Sequence, residues 1–234
     1  MRKEWEQQDT CSLVPSYHSP DKKDYTSYRY PCPVDDSTVV AVKSGLKDIN
    51  ALVTIVHGKE KRLSYIGSIN SRLDYRNGKI YWTEIVPGLR WTHENYSVLK
   101  CYDLKEGRIK SITPRQRYLS PSVDKNGKVA AVSRTTVDGK NQLVLVELED
   151  GKELFAFQVP GNAFIKELTF TDQDEVVAVA VTDAGISLLQ FTPSSGQWEE
   201  LLSTASVNIT SPVWKDGRIY FESGANGTCL LYTS

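Results

Sequence analysis

Six residues make the sequence's best case for recognition chemistry. Arg90, Trp91 and His93 fall in the long polar stretch "IVPGLRWTHENY", and Arg115, Arg117 and Tyr118 follow in "RQRY". Guanidinium groups fork onto carboxylates, and Trp and Tyr add large, flat contact area. Such a set suits a carboxylate or an acidic segment of a partner. The plainer reading, in which Trp91 packs over its own sheet edge and the arginines are simply solvated, stays open at this level.

Catalytic chemistry finds much less support. There are three histidines, His18, His57 and His93. "HENYS" at 93 starts like a zinc-peptidase motif, but Ser97 stands where the second imidazole is needed. No G-x-S-x-G elbow occurs to present a nucleophilic serine. Asp124-Lys125-Asn126-Gly127 and Asp172-Gln173-Asp174 are acidic enough to suggest calcium, yet both lack the distal bidentate Glu of a calcium loop. Their carboxylates suit turn backbone instead. A carboxylate pair for glycoside hydrolysis needs a separation that only a structure can supply. The sequence therefore implies no catalytic residue, no metal and no cofactor.

The elements that position these residues are read from a repeat. Asn77-Gly78 leads into "KIYW", Asn126-Gly127 into "KVAA", and Asp216-Gly217 into "RIYF". Weaker copies start at Asp35-Asp36-Ser37 and Asp172-Gln173-Asp174. Equivalent turn positions 37, 78, 127, 174 and 217 recur at intervals of 41, 49, 47 and 43 residues. Each unit reads as four short strands joined by tight turns, with Asn-Gly and Asp-Gly supplying positive φ. The strands are nearly continuous in Val, Leu, Ile and Ala, as expected when both faces are covered. Four strands per roughly 45 residues is the period of stacked propeller blades. Only the first ten residues hint at a helix, so the fold class is all-β.

"YLSPSVDKNGKVAAVS" (118–133) and "SPVWKDGRIYFES" (211–223) resemble the Ser-Pro, Asp-Gly-Lys pattern of TolB-type β-propeller repeats, over about residues 28–234. Ser-Pro is missing from the first, second and fourth units. The resemblance implies a lead-in over 1–27 and blades near 28–67, 68–113, 114–158, 159–202 and 203–234. It also implies an extracytoplasmic setting. The segment from Asp9 to Asp36 resembles the lead-in to the propeller of long Bacteroidetes proteins, in which a metallopeptidase-like domain precedes it. The fifth unit shows three strands, so the expectation is either a five-bladed ring closed by "TCSLVPS" (10–16) or a fragment of a ring of six or more.

Bulk properties narrow the partners. The chain of 234 residues is 40% hydrophobic and 24% charged, with net charge −1 and a pI near 6.3. It carries no basic excess of the kind nucleic-acid binders show. Apolar runs such as "VVAVAV" fall short of the ~20 residues of a membrane helix. "MRKEWEQQDT" has no apolar core of a secretory signal. Cys11, Cys32, Cys101 and Cys229 are too far apart in sequence for a CxxC site. They read as small buried apolar groups, with a Cys11–Cys32 disulfide as the lesser alternative. Sequons at Asn95, Asn208 and Asn226 would mark surface loops in a eukaryotic secreted protein and mean little in a bacterial one. The expected role is a non-catalytic module binding a protein, a peptide or an adjacent domain through its loop face. The alternatives are a glycan-active enzyme with channel carboxylates and an architectural domain that positions a peptidase.

Overall fold

The computed structural model describes residues 26–69, 71–88, 95–205, 207–224 and 230–233. Turn chemistry sets its first level of order. Asn77 (φ 49°) and Gly78 (φ 78°) are both left-handed, and so are Asp216 and Gly217. Two successive positive φ values give a hairpin the twist its strands require. His57 (φ 48°) and Gly58 make a third such turn, so this histidine is an exposed turn residue as expected.

The strands form five antiparallel sheets in chain order. The first holds β1 (Thr26–Pro33), β2 (Thr38–Gly45), β3 (Ala51–Val56) and β4 (Lys59–Tyr65). The second holds β5 (Ser68–Ile69), β6 (Asp74–Arg76), β7 (Lys79–Pro87), β8 (Asn95–Asp103) and β9 (Arg108–Ser111). Here the single first strand expected from the repeat is split, because β5 and β6 both pair with β7. The third holds β10 (Tyr118–Val123), β11 (Val129–Thr135), β12 (Asn141–Glu147) and β13 (Glu153–Gln158). The fourth holds β14 (Phe164–Phe170), β15 (Val176–Thr182), β16 (Gly185–Thr192) and β17 (Gln197–Ala205). The fifth holds β18 (Ile209–Lys215), β19 (Arg218–Ser223) and β20 (Leu230–Thr233). Residues 10–16, the expected closing strand, and the first ten residues lie outside the described part.

The Ser-Pro motif has a backbone explanation. Ser120 (φ 49°) and Ser211 (φ 58°) each precede a proline at a register shift in β10 and β18. A bulge leaves one residue outside the ladder, so proline's missing N–H costs no hydrogen bond there. The first sheet has the same device: Tyr30 (φ 54°) precedes Pro31 at the shift in β1. Ser-Pro is missing from the first unit, as read, but its backbone device is present there with Tyr in the Ser position.

The first strands pack side by side, β10 against β6 and β14, and β14 against β18. The core lies between neighbouring sheets. Val40 and Leu52 meet Ile80 and Trp82, and Tyr81 and Leu99 meet Val123 and Ala130. Leu143 and Leu145 meet Ile165, Leu168 and Phe191, and Val177 and Leu188 meet Ile209 and Phe221. Fully burying one such side chain contributes about 1.5–3 kcal/mol, which no isolated sheet could obtain on both faces. Outer strands β4 and β13 are mostly exposed. Cys32 and Cys101 are buried and free, and burial pushes the Cys32 thiol up to about 12. Cys11 and Cys229 lie outside the described residues.

Candidate functional site

All five blades contribute to one central cavity of about 200 Å³, bounded by Pro31, Arg72, Asp74, Ser122, Thr169 and Trp214 among others. Its charged groups are engaged with the scaffold. Asp74 Oδ2 accepts from the Val123 N–H at 2.5 Å and from Ser122 Oγ at 3.3 Å. Ser122 Oγ in turn accepts from the Phe170 N–H, so one chain of bonds crosses three blades. Burial pushes the Asp74 carboxyl above its usual range, although the N–H and Arg76 pull the other way. Glu167 Oε2 accepts from the Ser211 N–H at 2.6 Å and stands 4.0 Å from Arg72 Nη1. Arg72 Nη1 donates to the Pro212 carbonyl at 3.2 Å. Asp74 and Glu167 thus each bind a neighbouring blade's backbone, an arrangement that holds blades together.

Strand direction fixes which loops share an end. The loops between second and third strands lie with the connectors between blades, away from the Asn-Gly and Asp-Gly turns. In blade two the connector is tied down: the Gln116 N–H donates to the Ser97 carbonyl at 2.8 Å, and the reverse bond is 2.6 Å. Arg115 and Arg117 flank that bridge and are exposed. Among the described residues neither has an ion-pair or hydrogen-bond partner. Blade three does the same with a side chain. Asn162 Oδ1 accepts from the Asn141 N–H at 2.7 Å, and its Nδ2 donates to the Gly139 carbonyl at 3.0 Å. Loops at this end therefore project from fixed stems.

The arrangement is matched by solved structures. TolB from Acinetobacter baumannii superposes with a TM-score of 0.63 at 13% identity, over 86% of this chain and 51% of that one. The fold is a TolB-like β-propeller. The propeller domain of the trilobed protease from Pyrococcus furiosus gives 0.57 at 13% identity, over 92% and 82%. A prolyl endopeptidase gives 0.60 at 13% identity, over 90% and 34%. The propeller thus spans about half the length of the TolB chain and a third of the endopeptidase. No protein-family model and no curated protein matches the sequence.

Of the six expected contact residues, the described ones divide between the connector and the blade interior. Arg115 and Arg117 sit on the connector as described, whereas Arg90, Trp91 and His93 lie outside the described residues. Tyr118 belongs to the blade interior: it is 2% exposed, and its hydroxyl donates to Glu153 Oε2 at 3.1 Å. That carboxylate also pairs with Arg134, whose guanidinium lies 5.9 Å from the Tyr118 ring. Trp82 is fully buried, Trp198 donates to the Gln158 carbonyl, and Trp214 donates to Asp172, in line with structural roles. Asp124 Oδ1 accepts from the Lys128 and Val129 N–H groups at 2.7 and 2.8 Å, the turn role expected of it.

Three exposed apolar residues at this end were not singled out from the sequence. Leu46 (84% exposed), Ile49 (67%) and Val137 (90%) sit on the second-to-third strand loops of blades one and three. Their signal was available, since each is a large apolar residue inside an otherwise polar loop, in "SGLKDIN" and "RTTVDGKN".

Proposed function

We propose that this propeller is a non-catalytic binding module that recognises a protein or peptide segment, or an adjacent domain, through its loop face. One observation carries the reading. The three most exposed large apolar side chains among the described residues, Leu46, Ile49 and Val137, all stand at the same end as Arg115 and Arg117, which have no partner among those residues. Single exposed apolar residues are ordinary on a surface, but their collection at one end beside exposed guanidinium groups favours an interface. Arg90, Trp91 and His93, from the second-to-third strand loop of blade two, belong to the same proposed surface, and an extracytoplasmic setting belongs to the same reading. The central carboxylates support the non-catalytic side, because Asp74 and Glu167 hold neighbouring backbone.

The test is to select peptides from a random display library on the intact chain and measure them against variants. Acidic peptides with apolar flanks should be enriched, and Arg115→Ala with Arg117→Ala should weaken them about tenfold or more. Selected peptides indifferent to that pair and to Val137→Ser would overturn the reading. So would turnover of an oligosaccharide that depends on Asp74.

A further inference from the structure

A groove of about 460 Å³ lies between blades two and three, apart from both the central cavity and the proposed loop-face contacts. Tyr81, Cys101, Ile112 and Leu148 floor it, each no more than 8% exposed. Tyr81 is the informative one. It is 3% exposed, yet its hydroxyl has no hydrogen-bond partner among the described residues. Buried tyrosine hydroxyls are nearly always satisfied, so an orphan that lines an accessible groove points to something outside the chain. Burial pushes this phenol up to about 12, so it is a protonated donor throughout the physiological range.

The groove's charges choose what that donor meets. Lys79, Lys110 and Lys128 line it. Lys110 Nζ gives one bond to the Glu149 carbonyl at 3.2 Å and, as an ammonium, keeps donors in reserve. Lys79 reaches Asp103 only at 3.8 Å, and Lys128 has no partner among the described residues. Glu147 and Glu149 also line the groove, but Glu149 is exposed and screened by solvent. Acceptors are therefore favoured at the Tyr81, Lys79 and Lys110 side, and apolar surface is available over Ile112 and Leu148.

We propose that this groove binds a small amphipathic carboxylate, its head on Tyr81, Lys79 and Lys110 and its apolar body along Ile112 and Leu148. The volume fits a small-molecule site. Calorimetric titration of the full chain with decanoate, decanol and decylamine, below their aggregation limits, tests the proposal. Decanoate should bind about tenfold more tightly than decanol, with decylamine weakest. Tyr81→Phe, which keeps the ring, should weaken decanoate about fivefold and decanol by less, since a bond to a charged acceptor is the stronger one. Lys110→Gln should weaken decanoate by a similar factor. Arg115→Ala with Arg117→Ala should change nothing, since the groove is independent of the loop face. Equal binding of decanoate and decanol overturns the proposal, as does preference for decylamine. Indifference to both Tyr81→Phe and Lys110→Gln overturns it as well, and so does no binding at millimolar concentration.

Discussion

The guanidinium of Arg72 donates to the carbonyl of Pro212, 3.2 Å away and 140 residues further along the chain. It joins blade two to blade five across the central cavity, and Glu167 of blade four stands 4.0 Å from the same nitrogen. Arg72→Ala is expected to lower the stability of the fold by about 1–2 kcal/mol, the scale of a charged hydrogen bond that is partly open to solvent. Urea unfolding reads this directly. An unchanged midpoint would mean that the tie contributes nothing beyond the first-strand contacts.

Asp74 should leave a pH signature of unusual sign. Its carboxyl is raised in the folded chain, chiefly by burial. The native state therefore holds a proton that the unfolded state has already released. Its contribution is full below the ordinary carboxylate range and is lost as pH rises through the raised value. Asp74→Asn should flatten that part of the stability-against-pH curve. A slope that survives the substitution would assign it to another group.

Gly151 and Gly217 share a φ of 75° and differ in what surrounds them. A Cβ on Gly217 meets nothing within 4 Å, whereas one on Gly151 falls 2.0 Å from the Ile112 carbonyl oxygen. Gly217→Ala should cost about 1–2 kcal/mol from the left-handed backbone alone. Gly151→Ala should cost about 1–3 kcal/mol more, because the connector to blade three must move. Comparable thermal midpoints for the two variants would contradict the close approach.

Tyr118 and the neighbouring arginines should separate in experiment. Tyr118→Phe loses the bond to Glu153 and should cost about 1 kcal/mol of stability without affecting peptide binding. Arg115→Ala with Arg117→Ala should do the reverse, with stability held within about 0.5 kcal/mol. A binding loss in Tyr118→Phe, with its fold intact, would return the ring to the contact surface.

The fold was largely legible because its signals are local. Asn77-Gly78 and Asp216-Gly217 demand positive φ within two residues, and that demand recurs at the blade period. The Ser-Pro signal was legible only in part. What the backbone needs is a residue tolerating φ near 50–60° before a proline, and Tyr30 meets that need as Ser120 and Ser211 do. Residue type alone therefore does not reveal the device in blade one. The split of β5 from β6 carried no comparable mark.

The sequence by itself determined the turns, the run of buried β residues and hence the stacked four-stranded units, because hairpins and strand burial depend on neighbours a few residues apart. Tertiary structure alone decided that Tyr118 faces inward while Arg115 stays outside, though only two residues separate them. It alone brought Arg72 to Pro212, Asp74 to Val123 and Glu167 to Ser211. It also left the Tyr81 hydroxyl, in the groove between blades two and three, without a partner among the described residues. Each of these depends on which face of one blade meets the next. That relation lies some 45 residues or more along the chain, where strand periodicity carries no information about which side chains will touch.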